Sequence, residues 1–221
     1  MPIQPEDLIS AINQLIFEWQ KSGFIIDSRN HQAYQKSNGL VEVTWGNDGY
    51  VLKENDFSTL SEYCSLIENR QYSMLLVDGS FFQISYGLRK REVVRHRLCW
   101  YPSPIKFADD LMDSGGIIDA VLDKMAKGDT SFFQSRSPLR FDFSPDDASD
   151  LHPEVHLHIG HEDCRIPVKS ALSLRAFMMF VVENFYVDIS TSSRLHREAL
   201  NWFCGDKLTH NQRQRIHFNS L

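Results

Sequence analysis

Long apolar runs are missing from this chain. The longest, Ala176 to Val182, has seven residues, whereas a helix needs about 20 to cross a bilayer. Cysteine is sparse: Cys64, Cys99, Cys164 and Cys204 are widely separated, so no spacing spells a zinc knuckle or a redox pair. The opening Met1-Pro2-Ile3-Gln4 carries no basic n-region and no lipidation signal. Together these point to a cytoplasmic protein with reduced thiols and no membrane association. No glycine-rich loop joins a strand to a helix, which removes a nucleotide-binding βαβ unit. Internal repeats and low-complexity linkers are also absent.

What is present suits one globular domain. Of 221 residues, 42% are apolar and 15 are Phe, enough buried area to offset ordering entropy without disulfides or metal staples. The net charge of −6 disfavours a general nucleic-acid binder, but the charge is uneven. Ten acids and five bases lie in residues 1–72, and ten acids and four bases in 107–150. Between them Arg89, Lys90, Arg91, Arg95 and Arg97 face only Glu92. Such a cluster focuses a local positive field on an acidic protein, or is simply a solvated hairpin end.

Periodicity predicts a helix from Pro5 with the stripe Leu8, Ile12, Leu15, Ile16 and Trp19, ended by Gly23. Strands follow at Phe24–Asp27 and Leu40–Trp45, with a turn at Gly46–Gly49. Asp56 is read as the cap of a helix striped by Leu60, Tyr63, Cys64 and Ile67. Met74–Val77 and Phe81–Tyr86 form a hairpin across a two-residue Asp78-Gly79 turn, and Val93–Tyr101 is the next strand. Helices are expected at 109–113 and 117–125, strands at 139–143, 155–159 and 164–168, and a buried helix after Ser173. Phe177, Phe180 and Val181 of that helix should pack on the sheet with Leu75, Phe81 and Leu157. Two more helices are placed around 194–204 and 211–217. The class is α+β: a mainly antiparallel sheet, helices on one face, extra N- and C-terminal helices. Residues 1–221 read as a single domain, with an N-terminal portion 1–72, a sheet core 73–189 and a C-terminal helical appendage 190–221.

The dense chemistry lies between Arg140 and Arg165. Alternation turns Leu139, Phe141 and Phe143 inward and sends Arg140 and Asp142 to the opposite face. By the same rule Val155, Leu157 and Ile159 face the core, and Glu154, His156 and His158 do not. Pairing of the two strands brings Arg140, Asp142, His156 and His158 together, with Arg165 joining from the next strand and His96 a further candidate. Arg95, Arg97, Arg165 and His152 are the candidate substrate-binding groups. Three chemistries fit. Two histidines act as base and acid on RNA while an arginine holds the phosphate, with no cofactor. Alternatively His156, His158 and a carboxylate, Asp142 or Glu154, bind a divalent metal; this is the minority reading. In the third the set is an inert ion-pair network or a partner-binding face. His31 and His196 stand alone and are expected to be exposed.

The runs Leu139-Arg140-Phe141-Asp142-Phe143, Leu151-His152-Pro153, His156-Leu157-His158 and Cys164-Arg165-Ile166-Pro167-Val168 resemble a bacterial domain-of-unknown-function family, number 2290. A weaker similarity links the Asp78-Gly79-Ser80 hairpin, His96-Arg97, Arg140-Phe141-Asp142 and His156-x-His158 to toxins of TumE type. That similarity implies a nuclease with His96, Arg140, Asp142, His156 and His158 in the active site and a helix-turn-helix antitoxin as partner; an ATPase is the other candidate partner. The resulting expectation is a nuclease-like protein of a bacterial toxin or anti-phage defence system, acting on RNA or DNA. A non-enzymatic protein-binding subunit of such a complex is the alternative. Oligomeric state is not legible.

Overall fold

A computed structural model describes residues 2–46, 59–105, 114–128, 131–161, 163–187, 189 and 194–219. The expected turn beyond Gly46, the Asp56 cap and the helix at 109–113 lie outside these residues.

Helix α1 (Pro5–Lys21) starts where a proline costs no hydrogen bond, and Asp7 accepts from the Gln4 amide (3.1 Å). Its predicted stripe, Leu8 to Trp19, is the buried face. Strands β1 (Ile25–Ser28), β2 (Gln32–Gln35) and β3 (Val41–Thr44) follow, then α2 (Leu60–Glu68), capped by the Thr59 hydroxyl. The long hairpin β5 (Phe81–Arg89) and β6 (Glu92–Tyr101) is the spine of the sheet. On one edge of β5, β4 (Met74–Leu76) pairs with its start and β3 with its end. Beyond β6 come β7 (Leu139–Phe143), β8 (Val155–Ile159) and β9 (Ile166–Pro167), after α3 (Ser114–Ala126). Every pairing between these strands is antiparallel. The chain ends with α4 (Leu174–Phe185), capped by Ser173, and two single turns, α5 (Leu195–Glu198) and α6 (His210–Arg213).

The α+β class and the antiparallel sheet agree with the sequence pattern, but the helices divide between the faces. On one face α1 and α4 enclose Phe82, Ile84, Leu98, Phe141 and Leu157. On the other, α2 and α3 enclose Leu75, Phe81, Cys99 and Tyr101. Leu75 and Phe81 therefore belong to a different core from Phe177, and Phe180 is only partly buried. Strand β2 has no signature in the sequence, because its Gln-Ala-Tyr-Gln lacks apolar alternation; it is held by pairing with β3. The β4–β5 turn is longer than two residues: the Leu76 amide donates to the Ser80 carbonyl (2.8 Å), enclosing Val77, Asp78 and Gly79, and Gly79 takes φ 79°. The β5–β6 turn uses Lys90 and Arg91 at φ 52° and 67° without a glycine, and the Ile3 amide donates to the Arg91 carbonyl (2.9 Å). The late helices are shorter than expected. Among the described residues no helix is long and apolar enough to cross a membrane. His31 and His196, expected at the surface, are buried at 1% and 0% exposure. The His31 ring is drawn in because Nε2–H donates to the Ile84 carbonyl (2.9 Å).

Candidate metal centre

Strands β7 and β8 pair in full register, Arg140 opposite His158 and Asp142 opposite His156. On the other side Arg97 of β6 stands opposite Asp142 and Cys99 opposite Arg140. Period-two alternation does the rest: Arg97, Arg140, Asp142, His156 and His158 share one face, and Phe141 and Leu157 take the other. This set is not a surface patch. Arg140 is 1% exposed, His156 and His158 are 2% and Asp142 is 5%. They floor a cavity of about 200 Å³ whose walls include Arg95, Ser144, Asp147, His152 and Arg165.

Each polar group at the floor is held by a neighbour. Arg140 Nε donates to Asp142 Oδ2 (3.0 Å), fixing the carboxylate. Burial by itself pushes the Asp142 carboxyl up, but the His158 hydrogen bond and the charges of Arg140 and Arg97 outweigh it, and the group is held well below the usual carboxylate range. His156 Nδ1–H donates to the Pro153 carbonyl (2.7 Å), which leaves the lone pair on Nε2. Burial, opposed by Asp142, lowers its pKa to about 4 and keeps the ring neutral.

The ligand atoms of Asp142, His156 and His158 lie within 4.8 Å of one another. The two Nε2 atoms are 2.9 Å apart, and Asp142 Oδ2 is 3.5 Å from His158 Nε2 and 4.0 Å from His156 Nε2. Tetrahedral bonds of about 2.0–2.1 Å set ligand atoms about 3.3 Å apart, so the observed separations bracket what a cation would impose. A backbone carbonyl behind His156 and a guanidinium behind Asp142 are the outer partners a metal ligand set needs. Asp142 Oδ1 is buried without a hydrogen bond and faces Arg97 Nε at 3.5 Å. At 2.9 Å the two Nε2 atoms must share a proton, whose place a bound cation would take. These observations correct the expectation that the site needs no cofactor: the buried His-His-Asp set is suited to a divalent metal.

The remaining candidates divide. Arg97, 40% exposed at its side chain, reaches Asp142 from the rim. Arg165 lines the cavity with Nε buried and without a hydrogen-bond partner. His152 packs beside His156, ring centres 4.8 Å apart. Arg95 lies at the mouth, its stem passing over Gly87, where a Cβ would meet Arg95 Cγ at 2.3 Å. His96 goes to the apolar face. It accepts from the Leu172 amide (3.0 Å) at Nε2 and donates to the Phe141 carbonyl (3.2 Å) at Nδ1, so both ring nitrogens are engaged away from the cluster. Glu154, weighed as a ligand, pairs with Lys207 (2.9 Å) and is not part of the cavity wall. Sequence reasoning missed Ser144 and Asp147, which are bonded to each other (3.1 Å) in the short 3-10 turn after β7. Their only signal was an acidic loop next to the motif.

Comparison with curated proteins finds no match, and comparison with solved structures finds none. The family model described as Uncharacterized conserved protein (DUF2290) matches residues 25–220, nearly the whole chain, and the chain therefore belongs to that family.

Proposed function

We propose that this protein is a divalent-metal phosphodiesterase, nuclease-like in its chemistry, with Asp142, His156 and His158 as the protein ligands. The observation that carries the reading is the buried ligand set set within an arginine-rich wall. Four arginines, Arg95, Arg97, Arg140 and Arg165, line the cavity against Asp142 and Asp147. Arg140 is committed to Asp142 at 3.0 Å, whereas Arg97, Arg165 and Arg95 make longer pairs, 3.5 Å to Asp142, 3.5 Å to Asp163 and 3.9 Å to Glu42, that an anion can join, and planar guanidinium forks suit phosphate oxygens. A bound cation supplies a Lewis acid and a water of lowered pKa. The chain's own residues do the rest. Arg97 and Arg165 hold the phosphate and offset charge as it grows on the non-bridging oxygens. Hydrolysis forms a bond from water oxygen to phosphorus and breaks the ester bond, and the departing oxygen takes a proton. His152, at the cavity wall beside His156, is the group placed to deliver it.

The setting that goes with this activity is a bacterial toxin or defence pair, in which a cognate protein restrains the nuclease. Exposed Leu151 (81%), Phe203 (89%) and Ile216 (87%) offer apolar surface for such a partner. The test is metal content and turnover together. Purified protein should bind one equivalent of Zn²⁺ or Mn²⁺ and hydrolyse bis(p-nitrophenyl) phosphate. His158→Ala should abolish the binding and lower the rate by about 10²–10⁴, as loss of an essential group does. Metal binding without turnover of any phosphodiester would discard the hydrolase and keep only the centre.

A further inference from the structure

We infer that the substrate of this centre is a single-stranded polynucleotide, laid across the sheet from Tyr34 to the metal ligands; the inference rests on the phosphodiesterase reading. Depth is the first argument. The ligands are 2–5% exposed at the floor of a cavity of about 200 Å³. A duplex is a stiff rod with a persistence length of about 50 nm, and its phosphates cannot leave the helix surface to reach that floor. A single strand bends at every phosphate and can be drawn in.

Register supplies the path. Tyr34 of β2 pairs with Glu42 of β3, Glu42 with Gly87 of β5, and Gly87 with Arg95 of β6. Paired residues project to the same side, so Tyr34, Glu42 and Arg95 share the face that carries the cavity. The adjacent row runs Ser85, Arg97, Asp142, His156. Strands lie about 4.8 Å apart, which puts Tyr34 about 19 Å from the strand of Asp142 and about 24 Å from that of His156 and His158, the span of a few nucleotides. Tyr34 is half-buried and Arg95 and Arg97 are about half exposed. The Tyr34–Arg95 row thus offers one aromatic ring for a base and one guanidinium group, and Arg97 of the adjacent row adds a second, the combination that holds single strands without reading sequence. Gly87 keeps the path low, because any side chain there would lift the Arg95 stem. Glu42 is the one acid in the row; it stands 3.7 Å from Lys36 and 3.9 Å from Arg95, so cations flank it. Exposed Arg89, Lys90 and Arg91 extend the positive strip at the tip of the β5–β6 hairpin.

The experiment uses the full chain loaded with Mn²⁺ and four substrates: bis(p-nitrophenyl) phosphate, a single-stranded RNA, a single-stranded DNA, and a duplex of the same sequence. Single strands should be cut at least 100-fold faster than the duplex, and the RNA and DNA arms identify the sugar. Tyr34→Ala should raise KM for the single strand about tenfold with little change in kcat, as loss of one stacked base does. Tyr34→Phe, which keeps the ring, should restore it. Duplex cleavage at the single-strand rate, or an unchanged KM in Tyr34→Ala, would overturn the inference while leaving a phosphodiesterase. No turnover of any substrate by the metal-loaded protein removes the phosphodiesterase reading itself, and this inference with it.

Discussion

Strands β7 and β8 bury both faces to the same depth with opposite chemistry. On one face Phe141 (2% exposed) and Leu157 (0%) pack beneath α4, where Phe177 meets Phe141 edge-on with ring centres 6.2 Å apart. On the other, Arg140 (1%) and His158 (2%) are equally hidden. The apolar face gains free energy from removal of surface from water. The polar face must first give up the hydration of a guanidinium and a carboxylate, and their mutual attraction at best offsets that loss. A protein selected only for stability would fill both faces with aliphatics. The difference teaches that burial alone does not separate a core from a site; the chemistry of what is buried does.

The sharpest way to break the comparison is to remove one partner from each face. Phe177→Ala, at a position with no exposed surface, should cost about 3–5 kcal/mol while folded molecules still bind metal. Asp142→Ala deprives buried Arg140 of its carboxylate and should also cost about 3–5 kcal/mol. The two losses have different cures. Arg140→Met combined with Asp142→Leu should return stability to the wild-type level or above it, with no metal binding. Urea unfolding of the three proteins checks this. A double variant as unstable as Asp142→Ala would mean that the polar face is a structural necessity rather than a functional expense.

How far the sequence led depends on which rule was at work. Strict alternation in Leu139–Phe143 and Val155–Ile159 placed Arg140, Asp142, His156 and His158 on one side, and both strands have those bounds. The Ser173 cap and the α1 stripe were equally legible. Depth was not, because alternation tells sides apart but not what lies above them; the cover comes from the segment after β7 and from Arg165, far along the chain. His96, a further candidate for the cluster, turns its ring away from it for a related reason. Its neighbours Arg95 and Arg97 point toward the cavity, so alternation itself sends His96 the other way, to Leu172. Metal binding was the minority reading because no Cys/His spacing demands it; the carboxylate weighed there, Asp142 on the neighbouring strand, completes the set. Strand β2 and the face it shares with Arg95 carried no apolar signal at all.

A smaller effect distinguishes histidines that serve the core from those that serve the site. His31 and His96 are fully buried, and burial, against the pull of their backbone bonds and, at His96, of Asp142, lowers both pKa values to about 4. An unfolded histidine titrates near about 6.5. Between these values the unfolded chain binds more protons than the folded one. Stability should therefore be level above pH ~6.5 and fall as pH drops toward 4, by on the order of 2–3 kcal/mol for each ring. His156 adds in the same direction when no cation holds it. Unfolding midpoints measured from pH 8 to 4.5, with and without Zn²⁺, should show the decline in both series. His96→Gln, which keeps a donor and an acceptor for Phe141 and Leu172, should flatten part of it. A flat profile down to pH 5 would show that these rings are hydrated rather than buried.

The smallest expected effect is at the rim, where stability and substrate binding separate. Gly87 has an ordinary backbone conformation, so adding a methyl group there tests space alone. The new Cβ would lie 2.3 Å from Arg95 Cγ, 2.8 Å from Arg95 Cδ and 3.2 Å from Leu40 Cδ1. Contacts that short must be relieved, and the exposed Arg95 side chain yields before the sheet does. Gly87→Ala should thus cost only about 1–2 kcal/mol and leave metal affinity unchanged, because Asp142, His156 and His158 do not touch it. Arg95, however, swings off the floor of the row and away from the cavity mouth. Association with a polyanion through one fewer cation is weaker and less salt-dependent, the slope of log K against log salt falling by about 0.7 per lost contact for a single strand. Fluorescence titration of a single-stranded oligonucleotide from 50 to 300 mM salt reads this directly, with catalysis blocked by His158→Ala. Arg95→Ala should give the same reduced slope as Gly87→Ala. A Gly87→Ala protein with the full slope would place Arg95 outside the substrate's path, and the apolar and polar faces would then differ only at the metal ligands.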